Sequence, residues 1–151
     1  MANTQAMATS FKGELLTGQH NFGTGFIRAA TTVDSFKAAL YLTTATINAA
    51  TTAYSATGEV TGTNYTAGGI VVTNATAPAV SGTSAYWTPS ASLVWTTVTL
   101  ATAFDTVLIY NSTNTNRAVS AHTFGAQTVT AATFTLTMPT NAVGTALVQI
   151  T

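Results

Sequence analysis

The chain has 151 residues, of which 46% are hydrophobic and only 5% charged, four basic against four acidic, with no cysteine. A typical soluble domain is roughly 25% charged. The deficit argues against nucleic-acid binding, which needs clustered Lys and Arg to neutralise phosphates, and the missing thiols exclude disulfide stapling and thiolate chemistry.

Disorder does not suit a chain with fourteen aromatic residues, and the length suits one domain that buries about two thirds of its surface. No window approaches the roughly 18 consecutive apolar residues of a membrane helix, so no membrane partner is expected. The first ten residues, "MANTQAMATS", lack the basic flank and apolar core of a secretory leader. Residues 1–9 read as a flexible tail or an arm that orders on a neighbour, and 10–151 as one domain. In "SFKGELLTGQH", Ser10 is a candidate N-cap, and Phe11 and Leu15 fall at i, i+4. A short helix is therefore predicted over Ser10 to Thr17, although Gly13 weakens it.

From there the period is two. "FKAALYLT" puts Phe36, Ala38, Leu40 and Leu42 on one face and Lys37, Ala39 and Tyr41 on the other. The tract from Thr43 to Gly58 is rich in alanine and threonine, with Ile47 and Tyr54 as anchors to the core. Gly58, Gly62 and the pair Gly68 and Gly69 mark turns, as do "APAVSG" (Ala77 to Gly82), "NSTNTN" (Asn111 to Asn116), Pro139 and "NAVG". "IVVTN", "SLVWTTVTL" (Ser92 to Leu100), "FDTVLIY" (Phe104 to Tyr110), "RAVSAHTF", "TFTLTM" and the final "ALVQI" complete at least seven candidate strands. In "TFTLTM", Phe134, Leu136 and Met138 point inward and the threonines outward. Closely spaced strands without intervening helical periods predict an all-β, antiparallel β-sandwich, with a jelly roll among the arrangements that satisfy it.

Chemistry is sparse. A zinc site would have to join His20 and His122 to one of Glu14, Asp34, Glu59 or Asp105, and none of these has ligand-motif spacing. His122 falls mid-strand and reads as a satisfied face residue. No G-x-S-x-G elbow supports a hydrolase around either histidine, four isolated acids do not make a glycosidase pair, and "GQHNFGTGF" lacks the G-K-[ST] ending of a phosphate loop. The sequons at Asn64, Asn74 and Asn111 are expected by chance in so threonine-rich a chain. Neither an enzyme nor a cofactor is expected. Asp34, Glu59, Asp105 and Arg117 read as groups that fix turns or subunit contacts. Trp95 reads as core. Trp87, at the edge of a turn beside Tyr86, is the better surface aromatic and a candidate for stacking on sugar rings.

The ordered set "SFKGELLTGQHNF", "FKAALYLTTATINAATTAYSATGEVTGTNYTAGG", "VLIYNSTNTNRAVSAHTFG" and "FTLTMPTNAVGTALVQI" resembles small virion structural proteins of tailed bacteriophages over nearly the whole chain after Ser10. The resemblance implies a particle component without catalysis, above all a capsid decoration or cement protein on the outer shell, assembled in the bacterial host cytoplasm. Its implied partners are the major capsid protein and further copies of itself. The alternative is a tail or fibre module that binds a host receptor or glycan through Trp87 and Tyr86. Loop composition places the partner contacts in the N-terminal segment through Phe26 and in the Gly58 to Gly69 loop, with Phe11, Phe22, Phe26, Asn64, Tyr65 and Trp87 as contact residues.

Overall fold

A computed structural model describes residues 3–8, 11, 19–20, 34–73, 78–82 and 84–151. Eight strands account for its regular structure: β1 (Ala6–Met7), β2 (Phe36–Leu42), β3 (Ile70–Val71), β4 (Ala79–Ser81), β5 (Ser84–Trp87), β6 (Leu93–Asn111), β7 (Arg117–Leu136) and β8 (Val148–Ile150). They form a five-stranded sheet in the order β1-β7-β6-β2-β3 and a three-stranded sheet in the order β4-β5-β8, with every pairing antiparallel. The fold is all-β and sandwich-like, as the period of two requires. The helix expected over Ser10 to Thr17 lies outside the described residues except at Phe11.

The hairpin of β6 and β7 dominates. Its strands run 19 and 20 residues and turn through 112–116, where Thr115 and Asn116 take positive φ. Ribbons this long cannot stay flat, because strand twist accumulates. Here register shifts between Trp95 and Thr106 bend the ribbon, with Thr97 at φ 50° on one strand and Ala131 at φ 46° on the other. The far end therefore folds back over the near half. Phe124 and Phe134, ten residues apart on one strand, bring their ring centroids to 5.5 Å, with Phe104 5.0 Å from Phe134 and edge-on to it. Leu93 and Leu136 likewise meet Val107, Ile109 and His122 around a small cavity of about 130 Å³.

The interior of this fold-back joins the core from β2. Phe36, Ala38, Ala39, Leu40 and Tyr41 are all fully buried, so β2 is covered on both faces rather than alternating. Its edges pair with β6 on one side and with β3 and Val60 on the other, while Trp87 packs on Phe36 at one face and Tyr41, at the other, donates from Oη to Ser55 O. Burying each large side chain of this set contributes about 1.5–3 kcal/mol. The smaller sheet is tied on by Trp87, which packs against Phe36 at 5.9 Å between centroids, while Leu147 N donating to Thr88 Oγ1 at 2.9 Å extends the pairing of β5 with β8 within it.

The described part of the N-terminal segment is not a free tail. Asn3 Nδ2 donates to Leu42 O at 2.9 Å and to Asp105 Oδ1 at 2.8 Å, while its Oδ1 accepts from Ile47 N at 3.0 Å. Ala6 and Met7 then pair with Ala121 and Ser120 of β7. A side-chain amide that satisfies three partners, followed by strand pairing, gives this short segment a fixed place on its own domain. Within "APAVSG", a turn by composition, Ala79–Ser81 instead pairs with Ser84–Tyr86 as a hairpin.

Candidate interaction surface

The Gly58 to Gly69 loop is built around one buried carboxylate. Glu59 Oε1 accepts from Tyr65 Oη at 2.7 Å and from Gly68 N at 2.8 Å, and Oε2 accepts from Tyr54 Oη at 2.6 Å. Tyr65 Oη in turn accepts from Leu40 N at 3.0 Å, Tyr110 Oη donates to Gly68 O at 2.7 Å, and Tyr41 Oη donates to Ser55 O at 2.5 Å. Tyr54 and Tyr110 stack at 4.8 Å. Four of the five tyrosines thus enclose Glu59. Burial, reinforced by the hydrogen bond to Glu59, pushes the Tyr54 hydroxyl up to about 12. Tyr41, Tyr65 and Tyr110 are raised first by burial and further by the charge of Glu59.

The loop's path explains its glycines at two points. Gly69 has φ +71°, and a Cβ there would run into the Ala38 carbonyl; at Gly62 a Cβ would meet the carbonyl of Thr99. The chain runs hydrogen-bonded alongside β2 and β6, at Val60 with Leu40 and at Thr63 with Thr99, so the loop is pinned. Its outward surface is 61–64 with 66–67, all exposed. At its apex Asn64 (φ 60°) donates from Nδ2 to Thr97 O at 2.8 Å.

Of the four expected contact residues that are described, Phe11, Asn64, Tyr65 and Trp87, only Asn64 is fully exposed. Tyr65 is half-buried as a strut for Glu59. Phe11 is fully buried with its ring edge-on to His20 at 4.8 Å. Trp87 is 2% exposed, which corrects its reading as a surface aromatic: a large ring that joins two sheets gains more from the core than from water. Tyr86, half-exposed, lines a shallow apolar groove of about 160 Å³ with Pro78 and Ile150. Phe22 and Phe26 lie outside the described residues. The structure does not gather the other four into one patch.

The polar groups weighed for chemistry at the sequence level, where described, are engaged internally. Asn111, fully buried, places Nδ2 2.8 Å from Asp34 Oδ2 and 3.2 Å from His20 Nδ1, while its Oδ1 accepts from Thr113 N and Asn114 N. That cluster fastens the turn between β6 and β7 to the segments carrying His20 and Asp34. Asp105 accepts from Asn3 and from Thr106 Oγ1. His122 Nε2 lies 2.9 Å from Ser120 Oγ, and desolvation lowers its pKa to about 4, so the ring is neutral near pH 7. Glu14 lies outside the described residues. Among the described residues no group of three or more His, Cys, Asp or Glu is placed to hold a metal ion.

Two features escape a reading of the sequence. The Glu59 enclosure draws on Tyr41 and Tyr110, far from the loop, and no spacing signals it. The outer edge of β7 is the other: between "RAVSAHTF" and "TFTLTM" the chain continues as strand through "GAQTVTAA". Comparison of the chain with protein-family models, curated proteins and solved structures finds no match in any of the three.

Proposed function

We propose that the chain is a structural component of a bacteriophage virion, a decoration or cement protein that binds the major capsid protein on the outer capsid surface and reinforces the assembled shell. The observation that carries this reading is where the few charges go. Asp34 and Glu59 are buried, and Asp105 is held by Asn3. The exposed positions of the β6 and β7 ribbon and of 61–67 carry no charge and are mostly threonine, alanine, glycine and asparagine, with Val94 and Gln127. A surface with so little charge suits a life in contact with other subunits, because it raises little self-repelling field and offers salt little to screen.

The mechanism is mass action. A subunit that binds the closed shell but not its dissociated parts stabilises it by about 2.7 kcal/mol per site at a hundredfold excess over Kd. Over many sites that sum resists rupture. A stable contact buries about 1,200–2,000 Å² in total, and the exposed 61–67 surface around Asn64 is the proposed starting point for it. The fibre and glycan alternative loses its main support with Trp87 in the core.

The test is co-sedimentation of purified protein with shells that lack it. Saturable binding that raises the rupture temperature and weakens in Asn64→Lys supports the role. Absence of binding to such shells removes it.

A further inference from the structure

The outer edge of β7 changes character along its length. Over its first residues it is covered: Ala53 bridges to Arg117, Ala118 N donates to Thr52 O, Ala8 N donates to Val119 O, and β1 pairs with Ser120 and Ala121. From His122 to Leu136, β6 supplies the only strand pairing among the described residues. Such an edge is a template for another strand unless charge, proline, bulges or a covering element blunt it. No Asp, Glu, Lys or Arg follows Arg117 anywhere in the chain, and the next proline is Pro139. Bulges are present, in the register shifts opposite Phe104 to Thr106 and at Ala131. They bend the edge but leave Ala132–Leu136 without an extra residue of its own and with no strand on its outer side among the described residues. Its pairing with β6 is straight over Phe134–Leu136, and the shift between Trp95 and Val98 puts the extra residue on β6 opposite Thr133. Thr133 and Thr135 are exposed, and Val94, 41% exposed, sits opposite Thr135.

The geometry points to the Ala132–Leu136 edge as a self-pairing site, at which a second copy of this chain adds its own β7 in antiparallel register about Phe134. A two-fold axis there sets Thr133 against Thr135 of the other copy and Ala132 against Leu136, so one patch complements itself. Cross-strand threonine pairs are favourable, and like charges, which would forbid the match, are absent. The formal net charge of zero adds no long-range repulsion between copies. Pairing makes a continuous β6-β7-β7-β6 sheet. It rests on the capsid reading only for its purpose, which is to join neighbouring decoration subunits; the pairing itself follows from the edge.

The test is the mass in solution of the full chain, by light scattering across a thousandfold concentration range, for the wild type, the double variant Thr133→Lys with Thr135→Lys, and the control Thr61→Lys. The expected result is a concentration-dependent dimer in the wild type and the control, with dissociation at least about tenfold easier in the double variant. Hydrogen exchange on the wild type alone gives a second readout: amides within 132–136 should exchange about tenfold more slowly at the high concentration. A wild type that stays monomeric throughout overturns the proposal, as does a dimer whose 132–136 amides gain no protection. Shell binding by the same wild-type sample is scored separately, so a failed edge and a failed capsid role give different results.

Discussion

Replacing Glu59 tests whether the enclosed carboxylate holds the Gly58 to Gly69 loop. In Glu59→Ala three hydrogen bonds to a charged acceptor disappear, from Tyr65 Oη, Gly68 N and Tyr54 Oη. Tyr54 is partly exposed and regains a partner from water. Tyr65 and Gly68 sit deeper, and each donor left unsatisfied costs about 1–3 kcal/mol. With the cavity added, the loss comes to about 3–5 kcal/mol, or roughly 6–20 °C in Tm for a domain of this size. Glu59→Gln separates shape from charge. Both buried donors converge on Oε1, which an amide oxygen replaces, and the amide nitrogen can donate to Tyr54 Oη once that hydroxyl rotates. Its expected cost is about 1 kcal/mol. Urea unfolding followed by circular dichroism measures both. An alanine variant within about 1 kcal/mol of wild type, or a glutamine variant as damaging as alanine, would refute the reasoning.

Gly69→Ala combines a positive φ with a backbone collision at Ala38, whereas Gly144→Ala, also at positive φ, has open space around its Cβ; thermal melts should show a loss above about 3 kcal/mol for the first and about 1 kcal/mol for the second. Trp87→Ala should cost about 3–5 kcal/mol as a core truncation, and a variant as stable as wild type would return Trp87 to the surface. His122 has a folded pKa near 4 against about 6.5 unfolded. The unfolded chain therefore binds more protons between those values, and this contribution to stability is full above pH 6.5 and lost as pH falls towards 4. His122→Gln should flatten that part of the urea-midpoint profile, and an unchanged slope would contradict it. The enclosed tyrosines work in the opposite direction: Tyr54, raised to about 12, contributes stability that is intact below pH 10 and lost as pH rises through 12. Absorbance at a tyrosinate wavelength should show ionisation delayed until unfolding.

Strand content was legible because threonine and apolar residues alternate wherever one face is wet, as at Thr133 to Met138. The long hairpin was not, and its bulges are the reason. Each extra residue near Thr97, Ala131 and 101–103 shifts the alternation, so one strand reads as two separated by a break. β2 read as half-buried because alanine and tyrosine tolerate either environment; only the tertiary packing over its second face decides for burial. Composition located turns at Gly58 and Gly68 but not the path between them, where glycine permits the close approach to Ala38 and Thr99 seen here. The contact residues fared worst. Trp87 is a large aromatic at the edge of a turn, a pattern shared by surface anchors and core plugs, and only tertiary packing separates the two.

Cryo-electron microscopy of purified particles carrying the chain tests the capsid role most directly. The expected map shows many symmetric copies over the icosahedral shell, seated on the major capsid protein, with the 61–67 surface against it. Density confined to the tail or its vertex, or none on the particle, would contradict that role.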